Sequence, residues 1–421
     1  MKKLSLLLLL MLGSMNMFAQ GGEPRINYEE NKVPSFVLPN ALMCNDGTMV
    51  TTVEEWETKR RQEILAMFEN QFYGKTPTEK IPVSYKVLAE NPKALKGKAT
   101  CKQVQFTFSN GKKEINAILL MFIPNRVKGK VPIIVSYNFQ GNQSTSEDDY
   151  VLYSPSMKLM YSDDSPNVKT RGSQKSRWNY EIMIDRGYAV ATMCYHDIFP
   201  DKPEHFKNSV ASLFSDFDQA SRNYNEWGAI GVWAWGSSRI MDYLLTDLRI
   251  DSNRVALMGH SRQGKAALWA GAQDHRFKIV FSNDSGCGGA ALSKRVYGEN
   301  LARMIHSFPH WLCVGAGQWA GNEASMPFDS HELLDLIAPN RVYVASAQED
   351  NWADQKGEYL AAYYTKDVYA LYGMKGFDTV VPPGIHQPRI ADMGYHIRAG
   401  VHDVTDYDWT CYCDFCDKYL K

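Results

Sequence analysis

Short apolar runs that alternate with helical segments are the feature that most constrains the fold of this chain. They lie at 131–137, 187–193, 254–258, 279–281, 341–346 and 394–398. Runs of this length are typical of strands that are covered on both faces. Helical patterns separate several of them, for example at 229–245 and from about 261 onward. This order predicts an α/β fold, with one mostly parallel, doubly covered sheet in a three-layer αβα sandwich.

The N-terminal third carries fewer signals of this kind. The spacing predicts a helix over 52–72, two antiparallel strands over 100–108 and 114–123, and loops over 20–45 and 142–177, the second on the surface. We expect residues 20–100 to form an N-terminal extension that packs on a catalytic domain over 101–421.

The first residues have the pattern of a secretory signal peptide. Two lysines precede a leucine-rich run at 4–12, and small and polar residues follow up to Ala19. The run is too short to span a bilayer, which needs about 20 apolar residues. We therefore predict a signal peptide over 1–19, cleavage near Ala19, no membrane span, and a periplasmic or secreted protein.

Charge and cysteine content exclude some classes of function. The 421 residues include 46 basic and 47 acidic side chains, so no basic excess indicates a nucleic-acid partner. Eight cysteines are too few for a disulfide scaffold of this length. Cys411, Cys413 and Cys416 lack the second cluster that a zinc site usually has, which favours buried thiols or a bridge and no metal.

One stretch has the pattern of a nucleophile elbow. A β-run that ends in Gly259 and His260 leads into Ser261, and an Ala-rich helix follows. Small residues let such a strand and helix pack closely, so that the turn lifts the serine hydroxyl above the sheet. Gly264 stands at the third place after the serine, and Arg262 offers a positive side chain to an oxyanion. The alternative is a serine that only caps a core helix.

A serine nucleophile needs a base and an acid, which follow it in the chain in this fold. We favour His402, on a loop after the last strand, over His386 and over His396, which we expect to be a core imidazole. Two acids follow strands: Asp284 in a glycine-rich turn, and Asp350 beyond the run at 341–346. Spacing does not choose between them.

At these residues the chain resembles the glucuronoyl esterases of carbohydrate esterase family 15, especially the bacterial branch. The matching motifs are Ser261-Arg262-Gln263-Gly264-Lys265, Asn283-Asp284-Ser285-Gly286, Phe308-Pro309-His310-Trp311, the stretch 349–354, and His402-Asp403. The likeness extends from about 131 to 409, with the motifs in the same order.

The resemblance implies an α/β-hydrolase without a metal or an organic cofactor. Its substrate would be the ester between an alcohol of lignin and the carboxyl of 4-O-methyl-glucuronic acid on glucuronoxylan, and we expect a monomer. The resemblance makes Ser261 the nucleophile, His402 the base and Arg262 the oxyanion stabiliser, with Asp284 or Asp350 as the acid. It also places Lys265, Glu299 and Trp352 on the uronic acid.

Fungal members carry a disulfide between cysteines next to the serine and the histidine. His260 and Asp403 stand at those positions here, which excludes that bridge, and a bridge between Cys287 and Cys313 is our hypothesis instead. Two other functions stay open: an acetyl-xylan or feruloyl esterase on the same fold, and a non-catalytic carbohydrate-binding protein that uses Trp352, Trp311 and other aromatic residues.

Overall fold

A ten-stranded sheet forms the centre of the molecule. The computed structural model describes residues 23–160, 171–215 and 222–421. The strands are β1 (Val83–Ala94), β2 (Ala99–Ser109), β3 (Glu114–Pro124), β4 (Val131–Asn138), β5 (Ala189–Cys194), β6 (Ile250–His260), β7 (Ile279–Asn283), β8 (Arg341–Ala347), β9 (Arg389–Ile390) and β10 (Gly394–Arg398). Their order across the sheet is β1-β2-β3-β5-β4-β6-β7-β8-β10-β9. The six strands from β5 to β10 in this order pair in parallel, and the others are antiparallel.

Helices cover both faces of this sheet. They are α1 (Val53–Glu55, a π-helical turn Trp56–Arg60, and Arg61–Gln71), α2 (Met157–Met160), α3 (Tyr180–Asp185), α4 (Ala229–Leu244), α5 (Arg262–Gln273), α6 (Leu301–Ser307), α7 (Ser330–Asp335), α8 (Gln355–Tyr364), α9 (Lys366–Leu371) and α10 (Asp406–Tyr419). No helix in the described ranges is long and apolar enough to cross a membrane. The predicted α/β class, with a mostly parallel sheet, is confirmed.

The two faces of the sheet explain its apolar strands. All eight residues of β4 are buried, and Ile133 and Val135 point into one hydrophobic cluster while Ile134 points into another. The first cluster contains residues of α1, α4 and α5, and the second contains residues of α3 and α10. Because side chains alternate along a strand, a strand between two helical layers is apolar at most positions, and the buried amide of Asn138 at the end of β4 is hydrogen-bonded.

The structure differs from the sequence predictions at two places. β1 lies inside the segment 20–100 and pairs with β2 as the edge strand of the same sheet, although no strand was predicted there. The division of the chain at residue 100 stays a prediction. The surface loop predicted over 142–177 is wrong for Asn142 and its neighbours up to Thr145, which are buried. Their polar groups find partners inside the protein: Asn142 Nδ2 donates to the carbonyl of Ile118 at 2.7 Å. Residues 1–22 and 161–170 of the predicted segments lie outside the described residues.

Four neighbouring strands set the position of the site. β6, β7, β8 and β10 run in parallel side by side, so their carboxyl ends meet at one edge of the sheet. The segments that leave these ends carry Ser261, Asp284, Asp350 and His402. In α/β proteins this edge is where side chains from different loops converge.

Candidate active site

Ser261 sits in a strained turn between β6 and α5. Its φ of 57° and ψ of −130° lie outside the regions that a side chain with a Cβ normally adopts. A Cβ on Gly259 would lie 1.9 Å from the carbonyl oxygen of Gln263, and one on Gly264 would lie 2.8 Å from Ser285 Cβ. The two glycines thus let the strand and the helix approach, as the elbow pattern predicts.

The imidazole of His402 pairs with Asp350. His402 Nδ1 and Asp350 Oδ2 are 2.5 Å apart, and the carboxylate is almost fully buried while the histidine side chain is 38% exposed. Backbone hydrogen bonds join the two loops, from Gln348 to Arg398 at 2.8 Å and from Glu349 to Gly400 at 3.0 Å. With Nδ1 held by the carboxylate, Nε2 is the nitrogen left to accept a proton.

Asp284 lies next to this pair in a different environment. One ligand atom of Asp284, one of Asp350 and one of His402 lie within 4.8 Å of one another. Asp284 Oδ2 is 3.5 Å from Arg398 Nη2, whereas no group of the described residues hydrogen-bonds to its buried Oδ1. Burial, then the charges of Glu358 and Asp350, raise the pKa of Asp284 well above its ordinary value. The structure therefore brings both predicted acids to the site and hydrogen-bonds Asp350, not Asp284, to the imidazole.

Arg262 is held above an aromatic pair beside the serine. Its guanidinium carbon lies 4.8 Å from the ring centre of Trp311 and 5.3 Å from that of Phe308, and these two rings stack 3.8 Å apart. Its Nη1 donates to Asp201. Burial alone would lower the pKa of Arg262, but Tyr195, Asp201 and other nearby groups outweigh it and raise the pKa. The side chain therefore stays charged.

Lys265 and Glu299 form a buried ion pair in the same cleft. Lys265 Nζ donates to Glu299 Oε2 at 2.9 Å and to the carbonyls of Ser285 and Cys287 at 2.7 and 2.5 Å. The Glu299 amide donates to the carbonyl of Trp352 at 2.8 Å. All three N–H groups of the lysine are thus in use, so in this pair the carboxylate of Glu299, which has two oxygens, is the group suited to accept a further hydrogen bond.

These side chains surround one cleft of about 350 Å³. All eight predicted site residues line it: Ser261, Arg262, Lys265, Asp284, Glu299, Asp350, Trp352 and His402. The rest of the wall consists of the rings of Phe308 and Trp311 together with Ser285, Gly286 and Ala353. The structure thus brings together every residue that the sequence predicted for the site.

Two residues near the site were missed, and a third was noticed only as a departure from the fungal pattern. Asp201, in the loop after β5, belongs to no motif and is described below. Glu358 on α8 accepts the amides of Ser285 and Gly286 at 2.8 and 3.0 Å, which fixes the glycine-rich turn. His260 packs on His402 with ring centres 4.5 Å apart, where the fungal members have a cysteine.

The remaining sequence expectations concern histidines and cysteines. His396 is fully buried and bonded to Asp408 at 2.8 Å, which confirms its interpretation as a core imidazole. All eight cysteines are free and buried, so the proposed bridge between Cys287 and Cys313 is wrong. The three cysteines of the C-terminal helix lie in the hydrophobic cluster that also contains residues of α3.

The fold and the elbow place the chain in the class of α/β-hydrolases. A family model described as "Glucuronyl esterase, fungi" matches residues 175–373. "Carbohydrate esterase MZ0003" from an unknown prokaryotic organism is 40% identical over 404 residues, which cover 94% of this chain and 93% of the relative. A structure of a glucuronoyl esterase from Solibacter usitatus is 41% identical, with a TM-score of 0.86, over 93% of this chain and 100% of that one.

Two further relatives agree. A structure of a CE15 esterase from a marine bacterial metagenome is 39% identical, with a TM-score of 0.86, over 94% of this chain and 100% of that one. A protein of Schizophyllum commune named "4-O-methyl-glucuronoyl methylesterase" is 26% identical over 82% of this chain and 76% of its own length. The chain belongs to carbohydrate esterase family 15, the glucuronoyl esterases. It is a carboxylic ester hydrolase, and the predicted resemblance and α/β-hydrolase fold are confirmed.

Proposed function

We propose that this chain hydrolyses the ester between (4-O-methyl-)glucuronic acid of glucuronoxylan and a lignin-type alcohol, through an acyl-enzyme on Ser261. The observation that carries this proposal is the 2.5 Å contact between His402 and Asp350 at the wall of the cleft that Ser261 also lines. A serine, an imidazole and a buried carboxylate in this relation are the parts of a serine hydrolase.

In the first step, His402 Nε2 takes the proton of the Ser261 hydroxyl while Oγ attacks the carbonyl carbon of the uronoyl ester. Asp350 accepts the Nδ1–H of His402 and compensates the positive charge that forms on the ring. The carbonyl oxygen becomes negative, and Arg262 stabilises it together with backbone amides at the start of α5.

The tetrahedral intermediate then collapses: the C–O bond to the alcohol breaks, and the alcohol leaves with the proton from His402. Water then loses a proton to the same imidazole and attacks the acyl carbon. The bond to Ser261 Oγ breaks, the serine regains its proton, and glucuronate is released.

Two acids beside one imidazole would place two negative charges in a small volume. Burial and the charges of Glu358 and Asp350 raise the pKa of Asp284, which disfavours its charged form, and the hydrogen bond of His402 goes to Asp350. We therefore assign the role of the working acid to Asp350. Glu299, Trp352 and Lys265 hold the sugar: Glu299 accepts from its hydroxyls, Trp352 offers an apolar face, and Lys265 keeps Glu299 in place.

We also propose that the protein is exported after cleavage near Ala19 and acts as a monomer. N-terminal sequencing of the mature protein and light scattering of the purified protein test these two points. A first residue far from position 20, or a dimer at micromolar concentration, would contradict them.

Parallel assays separate the proposed activity from its alternatives. We expect benzyl glucuronate to be hydrolysed with a kcat/KM well above that for an aryl acetate or methyl ferulate. Preference for the acetate or the ferulate would indicate an acetyl-xylan or feruloyl esterase. Binding of xylan without hydrolysis of any of these esters would indicate a carbohydrate-binding protein.

A further inference from the structure

A buried carboxylate, Asp201, lies behind Arg262 and collects four side-chain donors. It accepts from Arg262 Nη1, from His310 Nε2 at 2.8 Å, from Trp311 Nε1 at 2.7 Å and from the Tyr195 hydroxyl at 3.0 Å. Its side chain is only 3% exposed. Burial opposes its ionisation, but the hydrogen bond from His310 and the charge of Arg262 outweigh burial and lower the pKa of Asp201 below its ordinary value.

These contacts fix the direction of a side chain that would otherwise be flexible. Asp201 holds one end of the guanidinium, and the ring of Trp311 lies against its face. Trp311 is itself anchored by its hydrogen bond to the same carboxylate. Arg262 remains 27% exposed, and it lines the cleft beside Ser261. A donor whose position is set before the reaction stabilises a developing oxyanion without the cost of reorganisation.

The same carboxylate also changes the charge that the cleft presents. The transient oxyanion and the glucuronate product both carry one negative charge near Arg262. A lone guanidinium in a partly buried cleft attracts any anion strongly, the product included. Paired with Asp201, it keeps a directed N–H group while the net charge of the pair is near zero.

We infer that Asp201 is a positioning residue that aims Arg262 at the oxyanion and offsets its charge, so that the uronate product leaves. This inference rests on the proposed function. It also gives the Phe308-Pro309-His310-Trp311 motif a role, because His310 and Trp311 hold Asp201 and Phe308 stacks on Trp311.

The test measures kcat on benzyl glucuronate and the inhibition constant of free glucuronate. In Asp201→Asn we expect kcat to fall by about tenfold or more, and glucuronate to inhibit about tenfold more tightly, because the guanidinium is misaligned and its charge is no longer offset. Asp242→Asn serves as the control, since Asp242 binds Arg239 and Arg276 instead. It should leave both values within about twofold of the wild type.

If Asp201 only supported the fold, its replacement would weaken the binding of substrate and the binding of product together. Weaker or unchanged product inhibition in Asp201→Asn, or a kcat within about twofold of the wild type, would therefore overturn the inference. If Asp201→Asn does not fold, Asp201→Glu keeps the charge but shifts the carboxylate by one methylene. It should lower kcat by about threefold or more with an unchanged inhibition constant, and tighter inhibition or a wild-type kcat would contradict us. A wild-type protein inactive on benzyl glucuronate would instead refute the proposed function.

Discussion

Replacing Asp350 by asparagine keeps the size of the side chain and removes the negative charge beside His402. The contact in question joins Asp350 Oδ2 to His402 Nδ1 at 2.5 Å. The negative charge is spread over the carboxylate and the positive charge over the protonated ring, so we treat them as two unit charges about 4 Å apart. At an effective dielectric constant of about 20, these charges attract by about 4 kcal/mol. Because His402 is 38% exposed, water screens the pair, and we take about half of this value, about 2 kcal/mol or roughly thirtyfold in rate.

The asparagine also changes the tautomer of the imidazole. Its Nδ2–H group would donate to His402 Nδ1, which moves the ring proton to Nε2 and removes the base that faces Ser261. In serine proteases the corresponding change lowers kcat by about 10⁴. We therefore expect Asp350→Asn to lower kcat on benzyl glucuronate by between about 10² and 10⁴, with little change in KM.

Asp284→Asn is the matched control, because His402 Nδ1 pairs with Asp350 and not with Asp284, whose raised pKa disfavours its charged form. It should keep kcat within about tenfold of the wild type. Steady-state kinetics of both variants, with circular dichroism to verify folding, decides between the two acids. A larger loss for Asp284→Asn than for Asp350→Asn would refute the assignment and make the glycine-rich turn the source of the working acid.

Three further predictions concern the surroundings of the site. Burial raises the pKa of Glu358 to about 8. The native state therefore holds the carboxyl proton more tightly than the unfolded chain does. As a result, Glu358 lowers the free energy of unfolding as pH rises from about 4.5 to 8. Chemical denaturation of Glu358→Gln should therefore show a stability that gains on the wild type between pH 5 and pH 8, and a pH-independent difference would contradict this. Lys265→Met removes the ion-pair partner of the buried Glu299. We expect KM for benzyl glucuronate to rise by about tenfold or more and KM for aryl acetates to change less. An equal rise in KM for both esters would contradict a role of this pair in sugar binding. Gly259→Ala brings a Cβ to 1.9 Å from the Gln263 carbonyl and should give an unstable, inactive protein, whereas Gly317→Ala meets nothing within 4 Å and should behave as the wild type in thermal unfolding.

The sequence predicts those parts of the fold in which a single requirement, such as burial on both faces or close backbone packing, determines the residue type. The apolar runs 131–135 of β4 and 255–258 of β6 follow from the helices that cover both faces of the sheet, and the elbow needs glycine at 259 and 264 because a Cβ there would meet neighbouring atoms. The sequence does not predict β1, because this edge strand is largely exposed and its apolar residues do not alternate regularly with polar ones. The buried polar turn at Asn142 was read as surface, since its partners lie on distant strands.

The residues of the site also fall into those that the sequence predicts and those that only the folded chain identifies. Residues inside a local motif, such as Ser261 and Arg262, could be found from spacing, and His402 from chain order. The choice between Asp284 and Asp350 depends on burial and on which oxygen reaches the imidazole, which only the folded chain determines. Asp201 carries no local pattern, because three of its four donors, Arg262, His310 and Trp311, are distant from it in the chain.

The turnover of a folded Ser261→Ala variant on benzyl glucuronate measures directly whether the serine at the end of β6 forms the acyl-enzyme. We predict that kcat falls by about 10³ or more, with an unchanged circular dichroism spectrum and thermal midpoint. A kcat within about tenfold of the wild type would show that this hydroxyl is not the nucleophile.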